Sequence, residues 1–531
     1  MLKKVPRIFV SHTYTPSPDL ELCQNNNTTM AKRKRNATTE SAVSSTPLPS
    51  KKIKATSLPT PRKPTTIQII AGSYDRVLHG LTATISPDDN VEFADTFLFN
   101  AHTTAIRCLA LSPPSAPVPK QQQKVILASG STDERINLYH ISAHAPSHIT
   151  VPVIAGFSAK AVVENPQNKE LGSLLHHSSS VTALYFPNRS KLLSAAEDNS
   201  IAVTRTRDWS LLSNIKVPVP KSMGRPSGDT APLGGAPSGV NDFAVHPSMK
   251  LMISVGKGEK SMRLWNLVTG KKAGVLTFER NILQEVGEGR YTSGEGRKVV
   301  WGSTDARDEF CVGFDKGAVV YGMDCKPKCK VVPKPRGTGH KWTKIHQMCY
   351  IPVGEEEDIH ILAVSTEDGR ILFYSTRPDD LVKDPSTGDK GDALQSAKLI
   401  AILDSKDNTT QNESKGTKSE ETPTRIKDFS FMNVGEGTTK DMIIVAGKSD
   451  GTLQIFKLAA SDLLPQSKDE VKNVGKVLGS SKTGNRITCL KSFVMLPSFD
   501  GEEEDDFTDL EGFDEDGDEG KEEDSSSDDS E

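Results

Sequence analysis

The sequence predicts an all-β chain folded as a seven-bladed propeller, its first blade closed by a C-terminal strand and its ends left as disordered tails. Three observations carry this. An apolar hairpin with a polar turn recurs seven times, a further apolar strand precedes six of the seven, and the strand missing from the first lies unpartnered near the end of the chain. A fixed recurrence of this kind outranks any local motif in deciding architecture.

The hairpin is clearest at Ile361–Tyr374, ILAVSTEDGRILFY, where two runs rich in β-branched and aromatic residues flank Asp368-Gly369. Such runs suit strands, and the Asp-Gly pair supplies the positive φ of a tight turn. The same turn place is held by Asp75, Asp133, Asp198, Asp315, Asp368 and Asp450, and in the fourth unit by Gly256–Lys260, which lacks the Asp. Strand c follows each turn, at 77–81, 136–139, 201–204, 262–265, 318–322, 371–374 and 453–456. Strand a precedes six of the hairpins, at 105–111, 181–186, 240–245, 298–301, 345–351 and 426–431. The first hairpin has none, and Arg486–Phe493 is a spare strand a with no b or c after it. A radial array must close on itself, so completing the first sheet with the last strand pins the ends and leaves only short edges.

The ordered body is then 65–497, between a basic segment at 1–64 and an acidic tail at 498–531. It is longer than seven repeats of about 40–45 residues because of polar inserts near 142–170, 218–238, 280–297, 379–397, 404–424 and 459–474, expected as mobile surface loops. Apolar residues make up 35% of the chain against a usual ~45–50% counted with Gly, in keeping with long segments that never pack. The net charge of -4 hides an uneven distribution: Met1–Pro64 carries +9, Asp500–Glu531 carries -18, and the middle about +5. Seven scattered cysteines point to a reducing compartment. No apolar run reaches the ~18–20 residues of a membrane helix and no signal-peptide core is present, so a soluble intracellular protein is expected. Met1–Thr29 begins with Lys3, Lys4 and Arg7 and has the look of a weak organellar presequence, while Met30-Ala-Lys-Arg-Lys-Arg reads as a natural start.

No catalytic constellation emerges, and no cofactor or metal is expected. Val255–Ser261 has the glycines and lysines of a phosphate loop without its spacing, and it joins two strands instead of opening a helix. Cys325 and Cys329 are a lone pair with no partner pair at zinc spacing. Asp514, Asp516 and Asp518 mimic the start of a calcium loop, but Glu519 holds the place that needs Gly. The turn aspartates are expected to bond backbone amides, a structural task.

What remains is charge. Lys32, Arg33, Lys34, Arg35, Lys51, Lys52 and Lys54 form two basic clusters among Ser, Thr and Pro, a candidate nuclear import signal in a segment too polar to order. Lys326, Lys328, Lys330, Lys334, Arg336, His340, Lys341 and Lys344, with Trp342 among them, run from the fifth blade to the sixth. They are a candidate patch for RNA or a protein partner, since cations neutralise phosphates and an aromatic stacks on a base. The acidic tail repels itself and attracts basic partners such as ribosomal proteins. Ser525, Ser526 and Ser527 lie in the acidic surroundings that suit acidophilic kinases.

His102 and His177 ahead of strand a, and Trp265-Asn266 ending a strand c, match the WD-repeat pattern. Beyond this, Ala71–Gly80, Ala101–Leu109, Ala128–Ile136, Leu175–Leu184 and His246–Trp265 resemble the opening blades of the p21-activated kinase-interacting protein family. The fungal members, of maintenance-of-killer type, are nucleolar WD-repeat factors for large-subunit assembly. The resemblance therefore implies a non-catalytic nucleolar scaffold that docks on pre-60S ribosomal particles, touches their proteins or rRNA, and supports large-subunit rRNA maturation. Animal relatives imply an alternative, a negative regulator that binds a p21-activated kinase. Neither reading involves a membrane or a small-molecule substrate.

Overall fold

Residues 64–146, 165, 167–220, 237–289, 292–336, 342–353, 359–383, 393–405, 424–434, 441–464 and 471–499 are described by the computed structural model. Their strands assemble into seven sheets, six of four strands and one of five. The innermost strands are Ile487–Val494, Ile106–Leu111, Val181–Asn188, Val240–Val245, Lys298–Thr304, Ile345–Pro352 and Ile426–Asn433, one in each of blades 1 to 7. Each contacts the next, and the last contacts the first, so the ring is closed.

Closure is as the strand count requires. Thr65–Ser73 of blade 1 pairs antiparallel with Ile487–Val494, from Ile67 opposite Val494 to Ser73 opposite Ile487. The Met495 amide then donates to Thr66 O at 2.9 Å, which ties the two ends of the ring.

Packing explains why the second strand of each blade is apolar almost throughout. Successive side chains on a strand point to opposite faces, and in a radial array both faces are covered by a neighbouring blade. In blade 6, Ile361 and Ala363 pack toward blade 7 with Phe429 and Ile444, while Leu362 and Val364 pack toward blade 5 with Cys311 and Val320. Seven apolar clusters result, one between each pair of neighbouring blades.

The tight turns follow one backbone path with different residues. Gly369 and Gly451 hold φ of 77° and 87°, whereas Arg76, Glu134 and Asn199 occupy the left-handed region in blades 1 to 3 at 72°, 69° and 59°. Arg76 and Glu134 cost about 1–2 kcal/mol each there, and Asn199 less, because its short polar side chain tolerates this region. The strain is carried by turns that are otherwise tied down.

Two polar inserts differ from the mobile loops expected. Residues 280–297 contain the helix Arg280–Glu285, and its Leu283, with Phe278 and Val286, is buried against Phe314 and Tyr321 of blade 5. In 459–474, Leu463 is fully buried and Lys472–Asn473 adds a short parallel strand outside Lys398–Asp404. A few apolar side chains anchor each insert, although its composition is polar.

Candidate binding surface

Each inner strand begins on the ring face that carries the b–c turns, and there the turn aspartates meet the loops from the preceding blade. In blade 2, Asp133 accepts from the Arg135 amide at 3.2 Å and from the Thr103 amide at 3.0 Å, so it fastens the turn to the incoming loop. His102 Nδ1 donates to the same carboxylate at 3.1 Å, and Nε2 lies 2.8 Å from Ser129 Oγ. Burial holds His102 below its ordinary pKa, against the pull of Asp133, which favours the neutral ring. Burial would raise Asp133, yet the Thr103 amide and His102 hold it below the usual range.

Blade 3 repeats the arrangement with His177 Nδ1 at 3.1 Å from Asp198 and Nε2 at 2.8 Å from Ser194 Oγ. Burial opposes ionisation of Asp198, but His177 and Ser200 bring its pKa down to about 2. Ser, His and Asp in this order could suggest nucleophilic catalysis. Ser129 and Ser194 are 0% and 1% exposed, however, so no substrate reaches either hydroxyl.

The other turn aspartates vary. Asp75 accepts from the Arg486 amide at 3.1 Å, Asp450 from the Thr452 amide at 2.9 Å, and Asp368 from the Arg336 amide at 3.2 Å and the Arg370 guanidinium. Asp315 pairs instead with Arg297 at 3.1 Å and Lys344 at 3.7 Å.

The described members of the lysine run do not form one surface. Lys326, 82% exposed, lies 3.6 Å from Asp324 at the c–d turn. Lys328 donates to Glu309 at 2.6 Å, and that carboxylate, 2% exposed, also accepts from Tyr350, Thr304 and Thr376. Lys330 is buried with Nζ 3.3 Å from Glu285 of the insert helix. Lys334 is exposed and its carbonyl accepts from Arg370, while Arg336 pairs with Asp404. Lys344 stands at the start of the blade 6 inner strand. Trp342 packs over Gly287, where an added Cβ would sit 2.9 Å from the indole.

Several candidate residues lie outside the described residues: Lys32, Arg33, Lys34, Arg35, Lys51, Lys52, Lys54, His340, Lys341, Ser525, Ser526 and Ser527. Cys329 is fully buried and burial pushes its thiol up to about 12, while Cys325 occupies the c–d turn. In blade 4, Gly258 takes the positive φ and Glu259 pairs with Arg263.

Lys344 of the lysine run belongs with three residues that the sequence did not single out. Arg297, Lys344, Arg425 and Arg486 each immediately precede an inner strand, in the four consecutive blades 5, 6, 7 and 1. Aligning the repeats on the first residue of strand a would have exposed them.

Residues 168–203, from the fourth strand of blade 2 to strand c of blade 3, match the family model described as WD domain, G-beta repeat. Over longer spans the chain is similar to the p21-activated protein kinase-interacting protein 1-like of Gallus gallus, 25% identical over 80% of this chain and 79% of that protein. It is also similar to Protein MAK11 of Saccharomyces cerevisiae, 26% identical over 74% of this chain and 78% of that one. A shorter match is Shk1 kinase-binding protein 15 of Schizosaccharomyces pombe, 24% identical over 40% and 46%. These likenesses run to a WD repeat in one stretch of the ring and, over most of its length, to proteins named for kinase interaction or as MAK11.

Proposed function

We propose that this chain, a ring of the WD-repeat kinase-interacting family, is a non-catalytic nucleolar platform for assembly of the large (60S) ribosomal subunit. It docks on pre-60S particles and supports maturation of large-subunit rRNA. The observation that carries this reading is the similarity to MAK11 over 423 residues, a span that goes beyond any single repeat. Charge supports it: a basic head suited to nuclear import and a tail of net -18 that attracts basic ribosomal proteins at long range. Depletion of the protein is expected to lower free 60S subunits and accumulate large-subunit pre-rRNA. Unchanged polysome and pre-rRNA profiles would sink the reading.

A second reading is favoured by the names of the chicken and fission-yeast relatives, which describe kinase-interacting and kinase-binding proteins. Here the ring binds and restrains a p21-activated kinase. Inhibition of that kinase by the purified chain, with a fluorescent fusion that stays out of the nucleolus, is the outcome expected of it.

A further inference from the structure

The inner strands place a row of cations around part of the channel mouth. In several blades the carbonyl just before strand a accepts the amide that ends strand b. Arg486 O accepts from Tyr74 at 2.8 Å, Lys344 O from Glu367 at 2.9 Å and Arg425 O from Ser449 at 3.0 Å. The same place is neutral in blades 2 to 4, at Ala105, Ser180 and Gly239. On that side Arg107, one step inside strand a of blade 2, and Lys257 of the blade 4 turn both face Glu197, so the less neutralised positive charge lies toward blades 6, 7 and 1.

One step inside, the register again separates the blades. Thr488 donates to Ile106 O at 2.6 Å and Thr182 to Val240 O at 2.7 Å, each latching onto the next inner strand. Blades 6 and 7 put His346 and Lys427 at this place. Among the described residues Lys427 makes no ion pair, and His346 Nε2 is buried without a hydrogen-bond partner. The inner strands of blades 6, 7 and 1 contact one another in turn, which brings these cations to one part of the ring, and burial, then Arg425, Arg486 and Lys344, hold Lys427 below its ordinary pKa. Counter-charge is incomplete: Asp315 serves both Arg297 and Lys344, Glu367 lies 3.3 Å from Arg425, and Arg486 rests 5.7 Å from the Tyr74 ring centre.

We propose that this arc of Lys344, Arg425, Lys427 and Arg486 is an anion-binding mouth that takes the carboxylates of an acidic segment presented by a partner protein. Cations carried singly on separate strands suit a flexible acidic segment that presents its carboxylates one at a time. Carboxylates on alternate residues of an extended strand stand about 7 Å apart and can enter the rim, whereas a nucleic-acid duplex offers phosphates on a broad convex surface. The chain's own acidic tail starts far away. Strand a of blade 1 begins at the mouth and runs eight residues, about 26 Å, to the other face, where Leu496 pairs with Ala143 and Ala145. The inference stands on this geometry and goes beyond the assembly role, since it names the chemistry of a contact that either kind of partner could supply.

The test uses the full chain and a short fluorescein-labelled poly-Glu peptide, with binding followed by anisotropy at low salt. Replacing both Arg425→Gln and Lys427→Gln is expected to weaken binding about tenfold or more, with Lys326→Gln unchanged. Arg425→Lys keeps the charge and is expected to retain binding, which separates loss of charge from loss of fold. Carbodiimide cross-linking, which condenses a carboxylate with a lysine amine, is expected to join the peptide to Lys427 or Lys344. Three results would overturn the proposal: no weakening in the double variant, cross-links from the tail's own carboxylates to those lysines in place of the peptide, or tighter binding of single-stranded oligouridylate that the same variants abolish.

Discussion

Blade 2 and the junction of blades 5 and 6 solve one problem, how to bury polar groups at a blade edge, in opposite ways. In blade 2 the polar set is local. His102, Ser129 and Asp133 come from one hairpin and the loop that leads into it, and each finds its partner within that unit. At the junction the set is shared. Glu309 of blade 5 gathers Lys328 and Thr304 from its own blade and Tyr350 and Thr376 from blade 6. The contrast extends to the histidines, for His102 is bonded at both ring nitrogens while His346 has a buried Nε2 left over. Propeller geometry does not demand one polar motif; it demands that whatever is buried be satisfied or held neutral.

The largest expected effect tests the shared network. Lys328→Glu sets a second carboxylate against the buried Glu309 and is expected to cost about 3–5 kcal/mol in urea unfolding. Lys326→Glu, on the exposed turn, should stay within about 0.5 kcal/mol. Equal costs for the two lysines would erase the distinction between network and surface. The local motif should be worth less. His102→Ala leaves Ser129 and one arm of Asp133 short of a partner, an expected loss of about 1–3 kcal/mol, because Asp133 keeps the amides of Thr103 and Arg135.

The smallest effect is a pH dependence. Burial, and then Lys427, Arg425 and Lys344, hold His346 at about 4, below the 6.5 of an ordinary histidine. In that window the unfolded chain binds the extra proton, so stability is full above about pH 6.5 and falls as the pH drops toward 4. His346→Gln is expected to lose less stability than the unaltered chain between pH 7 and pH 5, measured as the shift in urea midpoint. An unchanged shift would mean that this imidazole is as well accommodated when charged as His102 is when neutral.

Much of the fold was legible in the residues. The hairpin at Ile361–Tyr374 and its six counterparts announce themselves by alternation and turn chemistry, both set within a few residues of chain. The spare strand at the end was assigned to blade 1 by counting, and Ile487–Val494 pairs there. Composition misled at 280–297, where Leu283 and Val286 were too few to stand out from polar neighbours yet, with Phe278 just ahead, suffice to anchor the segment. The lysine run misled in another way. Near one another in sequence, its described members sit on a turn, a strand and a loop, and Lys328 and Lys330 spend their charge on Glu309 and Glu285 inside the protein.

The sequence by itself determined the number of blades, their order and the strand that closes the ring, because those depend on period-two patterning and on turns that a short stretch encodes alone. Only the tertiary structure decided which charges meet. Glu309 and Thr376, or Arg425 and Arg486, are far apart along the chain and become neighbours through radial packing, a relation that no local spacing records.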